Sequence, residues 1–299
     1  MVAIFTGLGS GFARGSGAAL GAGGILGSGL QGRGGDNVSI NAATGNVLIS
    51  RQDEFLIGKG PDIGISRTYN SLGAFDDGNG DHWRLGYDRR IFDHIAGQSV
   101  TRLSGDGSEI VYEYETRDGE AAYWATDGSG SHDKLSFDSA TNVWTWTDGD
   151  SQVEEAYAFD SANNNWRIVS QTDNDGNSLS FTYWASGPLA KITTADGNYL
   201  RIFYDPGTSN VKHIQTWVDN GDGTSSRTFT RTHYEFDDQG RLTSVKTDID
   251  LDNSIDDGEY YETTYSYHGD TQLIRKITQT DGSQLELEYD DLDLSLIHI

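Results

Sequence analysis

The sequence contains no cysteine, three prolines and a single methionine. Without cysteine there is no disulfide framework, no thiolate metal site and no cysteine nucleophile. Cations are scarce as well: 21 Lys and Arg stand against 46 Asp and Glu, a net charge of −25. Nucleic-acid affinity rests on cations that neutralise phosphates, so so acidic a chain is not expected to bind nucleic acid. Anionic membranes are disfavoured for the same reason. No run of 18 apolar residues exists, so no membrane span is expected. The seven histidines are scattered, and neither G-x-S-x-G nor H-E-x-x-H occurs. What is abundant is Gly (38), Tyr (15) and Trp (7). With Thr, and almost no Met, that composition points to strands rather than helices.

The chain reads as three parts and an end piece. Residues 1–35 hold 13 glycines and form a Gly-rich leader expected to be flexible. It lacks the basic start and unbroken apolar stretch of a signal peptide. Gly27, Gly29 and Gly32 spell G-x-G-x-x-G, but Gly-rich chain precedes them where a phosphate cradle needs a strand. Residues 36–95 form an N-terminal β region. There Gly45-Asn46 separates two β-branched runs, a hairpin signal. Ile63, Ile65 and Tyr69 alternate with small or polar residues, as in a half-buried strand.

Residues 96–291 repeat. After Gly107, Gly176, Gly197 and Gly282 the positions +3, +5 and +7 are apolar, apolar and Tyr, ending at Tyr114, Tyr183, Tyr204 and Tyr289. Lys191-Ile192-Thr193-Thr194-Ala195-Asp196 parallels Lys276-Ile277-Thr278-Gln279-Thr280-Asp281. One such hairpin cannot bury its apolar face alone, so neighbours must stack. The expected fold class is all-β: tandem hairpin repeats in a curved or wound antiparallel sheet. Alternation places the four tyrosines equivalently in successive hairpins. Residues 116–165 depart from the period. Residues 292–299 break it too, and read as an irregular, non-native tail. On that reading the last hairpin has an open edge near Leu285–Tyr289.

Gly240-Arg241-Leu242, Phe181-Thr182-Tyr183 and Glu288-Tyr289-Asp290 resemble parts of the YD repeat of the rearrangement hot spot (RHS) family. Ala43-Thr44-Gly45-Asn46, Ser66-Arg67-Thr68-Tyr69-Asn70-Ser71 and Trp83-Arg84-Leu85 resemble the segment that opens such arrays. The resemblance covers about residues 36–291. It implies a piece of a large bacterial-type secreted or cell-surface protein. This piece would be a non-enzymatic structural module building part of a β-shell that encloses or displays a C-terminal effector. The implied partners are the missing downstream chain, with further repeats and a toxin cargo. The alternative is a carbohydrate- or cell-surface-binding module in which Trp124, Trp144, Trp146, Trp166, Trp184 and Trp217 meet glycans. A hydrolase built on paired carboxylates is a third reading.

One stretch has the spacing of a calcium loop. Asp248, Asp250, Asp252, Asp256 and Glu259 supply side-chain oxygens at positions 1, 3, 5, 9 and 12, and Ser254 a backbone carbonyl at position 7. Asn253 replaces the usual Gly at position 6, and strands rather than helices flank the loop. A solvated acidic turn is the competing reading.

Overall fold

The computed structural model describes residues 36–41, 44–73, 80–126, 132–250 and 254–289, with the backbone of two further strands at 3–5 and 295–298. The Gly-rich leader beyond Ala3–Phe5 therefore lies outside the described residues. Every regular element among the described residues is a strand, and no helix there is long and apolar enough to cross a membrane. The first sheet has order β1 (Ala3–Phe5), β2 (Asn37–Asn41), β3 (Val47–Leu56), β4 (Ile63–Asn70) and β5 (Trp83–Leu85). The second begins with β6 (Arg90–Ile95), β7 (Ser99–Leu103), β8 (Glu109–Arg117), β9 (Glu120–Ala125), β10 (Lys134–Asp138), β11 (Val143–Thr147), β12 (Glu154–Asp160) and β13 (Asn165–Thr172). It continues with β14 (Ser178–Tyr183), β15 (Leu189–Thr193), β16 (Tyr199–Tyr204), β17 (Val211–Asp219) and β18 (Ser225–Phe236). The last five are β19 (Leu242–Asp248), β20 (Tyr260–Tyr267), β21 (Ile274–Gln279), β22 (Gln284–Tyr289) and β23 (Ser295–His298).

Successive strands of the second sheet pair antiparallel, and the sheet closes on itself. β13 changes partner along its length: Trp166 and Arg167 face Ile91 and Arg90 of β6, while Ser170 to Thr172 face β14. β6 to β13 thus form a ring of eight strands, from which β14 onward extends. Closure removes free edges, which otherwise invite pairing with other chains.

Four Asp-Gly turns and the Gln239-Gly240 turn share one geometry. In all five the Gly amide donates to the carbonyl three residues back, from Gly107 to Ser104, Gly176 to Asp173, Gly197 to Thr194, Gly240 to Asp237 and Gly282 to Gln279. Each of these glycines has φ between 79° and 91°. This is a turn closed by a glycine in the left-handed region, which a Cβ would strain. Beyond each turn, alternation sends Leu179 and Phe181, Leu200 and Ile202, and Leu285 and Leu287 into the core.

The terminal tyrosines make a recurrent bond. Tyr183 donates to the carbonyl of Ile168 at 2.6 Å, Tyr204 to Leu189 at 3.0 Å and Tyr289 to Ile274 at 3.0 Å, each reaching fifteen residues back. A bulge falls just before Tyr183 and just before Tyr204. Bulges re-aim side chains, and these turn the ring back toward the preceding hairpin. Tyr114 differs: it is 46% exposed and packs edge-on against Tyr123. Its strand belongs to the ring, where Tyr112 takes the buried place instead. The expected open edge at Leu285–Tyr289 is also corrected, because Glu286 to Tyr289 pair with residues 295–298.

Residues of both sheets share one core, from Val38, Ile49, Ile65 and Trp83 to Leu200, Ile214, Tyr265 and Ile277.

Candidate functional site

The sheets meet around Arg67, which alternation on β4 points inward beside Ile65 and Tyr69, leaving it 2% exposed. Its Nε donates to both carboxylate oxygens of Asp53, at 2.8 and 3.1 Å. Its Nη1 donates to the Tyr265 hydroxyl on β20, and its Nη2 lies 3.4 Å from Asp36 Oδ1. Tyr265 in turn donates to Asp36 Oδ2 at 2.7 Å, and Tyr234 of β18 to Asp53 Oδ2 at 2.8 Å. The guanidinium also lies over the rings of Trp83 and Tyr265, 5.0 and 5.3 Å from their centres.

Burial disfavours the charge on Arg67, but Asp53, Tyr265 and Asp36 outweigh it and hold its pKa well above the usual guanidinium range. Arg51 also approaches Asp53, with Nε 3.9 Å from Oδ1. Burial raises the pKa of Asp36, and Arg67 offsets that only in part. Further bonds extend the seam. Trp83 Nε1 donates to Tyr267 at 3.2 Å, Tyr69 to the Gln272 carbonyl at 3.0 Å, and Thr232 to Glu54 at 2.7 Å. Burial lifts the pKa of Glu54 to about 7, against the opposing bond from Thr232.

A second charged cluster lies within the ring. Arg102 donates to Glu155 at 2.7 Å and to Tyr157 at 3.0 Å, and its guanidinium sits 3.8 Å from the Trp146 ring centre. Arg89 and Tyr157 also bond to Glu155. Burial works against the Glu155 charge, but Arg89 and Arg102 pull its pKa down to about 2.

The acidic loop is only partly described. Asp248 ends β19 and is fully buried; its Oδ1 accepts from the Asp250 amide at 3.0 Å, while Oδ2 has no partner among the described residues. Ser254 Oγ accepts from the Asp256 amide at 3.2 Å, and the Glu259 carbonyl accepts from Ile249 at 3.2 Å. Asp252 lies outside the described residues. Among the described residues no three metal-ligating side chains converge. Like charges repel unless a cation gathers them.

Of the six tryptophans considered for glycans, Trp144 and Trp146 are corrected. They are 0% and 8% exposed, and Trp144 packs among His94, Tyr123, Phe137 and Trp166. Such filling of a sheet core is the usual role of Trp. Trp124, Trp166, Trp184 and Trp217 are half-buried. Sequence spacing did not reveal that His213 faces His233 across β17 and β18, with ring centres 5.7 Å apart. Burial, then the neighbouring His233, pushes the pKa of His213 down to about 4.

Residues 37–112 match a family described as a domain of unknown function, DUF6531. These residues carry β2 to β7 and most of the Arg67 seam contributed by the first sheet. A segment of 44 residues is 48% identical to the tRNA nuclease WapA of Bacillus subtilis (strain 168), and to a tRNA3(Ser)-specific nuclease WapA of Bacillus spizizenii. Over these stretches the chain is similar to those proteins. The WapA match covers 15% of this chain and only 2% of the relative's length. Among solved structures, a TcdB2-TccC3 crystal structure aligns over 77% of this chain and 10% of that one, at 16% identity and a TM-score of 0.31. A Photorhabdus luminescens Tc holotoxin pore aligns over 84% and 15%, at 14% identity and 0.31. The all-β assignment of this chain rests on its own strand registers.

Proposed function

We propose that this chain is the opening section of a YD-repeat shell and acts as a structural, non-enzymatic module. The repeats supply the wall. The first sheet fills the concave side and holds the wall in shape. The observation that carries this reading is the Arg67 seam: one buried guanidinium joins carboxylates of the first sheet to tyrosines that follow in the chain by about 200 residues. Residues 1–35 and 292–299 then serve as leader and end piece; residues 36–95 supply the inner sheet and the first strand of the wall, β6, and residues 96–291 the rest of the wall. The protein that contains this chain would be secreted or surface-borne and would continue into further repeats and an effector. The test uses that longer protein. Protease protection of its downstream segment is compared with and without Arg67→Met. Loss of protection supports the reading; unchanged protection in a folded variant defeats it.

We also propose that the loop at 248–259 takes calcium through Asp248, Asp250, Asp252, Ser254, Asp256 and Glu259. The buried, unpartnered Oδ2 of Asp248 supports this. Calcium should raise the melting temperature by mass action, and Asp250→Ala should remove the rise. An unchanged melt at millimolar calcium leaves a solvated acidic turn.

A further inference from the structure

The partner change of β13 opens a fork. β6 and β14 leave it in different directions, and a cavity of about 300 Å³ lies in the gap, lined by Asp88, Arg90, Asp160, Asn165, Arg167 and Tyr183 among others. Two ion pairs frame it: Arg90 with Asp88 at 3.0 Å and Arg167 with Asp160 at 3.5 Å. The Arg167 guanidinium lies 3.9 Å from the Tyr183 ring centre and donates to the Gly187 carbonyl at 3.1 Å. Two acceptors are left over. Asp88 Oδ2 and Asn165 Oδ1 are buried and have no partner among the described residues, and Asn165 is only 9% exposed. Buried polar groups are almost always hydrogen-bonded, so a pair of orphans in one polar cavity calls for an occupant with donors.

We propose that this fork is a binding site for a small neutral polyol of monosaccharide size. Charge selects the class. Two carboxylates repel an anion and two guanidiniums repel a cation, so the lining sums to zero. A hydroxyl can donate to Asp88 and Asn165 and accept from a guanidinium in the same pose. The volume sits at the lower limit of small-molecule sites, which fits one ring and not a chain. The site is separate from the Arg67 seam, so the shell reading and this one stand or fall apart.

The test is saturation-transfer NMR on the 299-residue chain. The probes are glucose, galactose, N-acetylglucosamine and myo-inositol. Tetrahydropyran serves as a ring without hydroxyls and methylammonium as a small cation. Transfer to at least one of the four polyols, and to neither control, is expected. Asp88→Asn and Asn165→Ala should each weaken binding about tenfold, as loss of a buried hydrogen bond would. If Asn165→Ala does not fold, the isosteric Asp88→Asn decides alone. No transfer to any of the four, equal transfer to a control, or unchanged affinity in folded variants overturns the assignment. Silence from all probes would mean that the cavity holds water only.

Discussion

Arg67 and Arg102 are both buried under aromatic rings and bonded to tyrosine, yet their charge balances differ. Around Arg67 two carboxylates, Asp53 and Asp36, share Arg67 and, at 3.9 Å from Asp53, Arg51, and burial still leaves the Asp36 pKa raised. Around Glu155 two cations, Arg89 and Arg102, serve one carboxylate, and the surplus shows as a Glu155 pKa near 2. Arg67 reaches Tyr265 of the other sheet, whereas Arg102 bonds inside its own ring. The first cluster fixes how two sheets sit together; the second fixes the closure of one. Each is a buried ion pair, so its formation is not free stabilisation, but removal of one member strands a charge.

The largest effect should follow from Arg67→Met, which leaves Asp53 and Asp36 facing each other in the core. Denaturant unfolding should show a loss of about 3–5 kcal/mol. Adding Asp36→Asn should recover part of it, because the two residues share one network. A loss below about 1 kcal/mol would show that the sheets are held by apolar contact alone.

Next comes the acid limb. Glu155 has its ordinary value of 4.5 when unfolded and about 2 when folded. Its contribution is therefore present above pH 4.5 and lost as pH falls toward 2, to the extent of about 3 kcal/mol. Glu155→Gln should lower stability at neutral pH and flatten the acid limb. An equally steep limb in the variant would place the acid sensitivity elsewhere.

Glu54 should move the other way. Its folded pKa, near 7, lies above the ordinary 4.5, so its contribution is fully present below pH 4.5 and is lost as pH rises through about 7. Glu54→Gln should stabilise the protein by about 1–3 kcal/mol at pH 8, with the gain vanishing near pH 4.5. Melting curves across that range check it.

The smallest effect separates the regular hairpins from the ring. Tyr204→Phe removes the bond to Leu189 and should cost about 1 kcal/mol. Tyr114→Phe, at an exposed position, should cost little. Equal costs would erase the distinction.

The regular hairpins were legible because their signals are local. An Asp-Gly pair demands its own turn, and Leu200 and Ile202 take their face from alternation alone. The ring was less legible. Two of its turns place Asn142 and Asn164 at positive φ, where Asn stands in for Gly, so no Gly marks the rhythm there. The seam was partly visible: Arg67 stood within the Ser66–Ser71 resemblance, but its partner Tyr265 lies 198 residues away, and the bond from Tyr265 to Asp36 spans 229. No periodicity encodes such pairings. The fork at β13 is equally non-local, since Arg90 and Arg167 meet only after the ring closes.

The backward reach of Tyr183, Tyr204 and Tyr289 has a consequence for synthesis on the ribosome. Each lock needs only residues made fifteen positions earlier, so every hairpin can fasten to its predecessor as it emerges. The Arg67 seam cannot act in this way, because Tyr265 is made almost 200 residues after Arg67. Until then the first sheet waits with a charge and two carboxylates uncovered. This geometry lets those hairpins fasten in the order of synthesis, and leaves the fit against the first sheet as the late step.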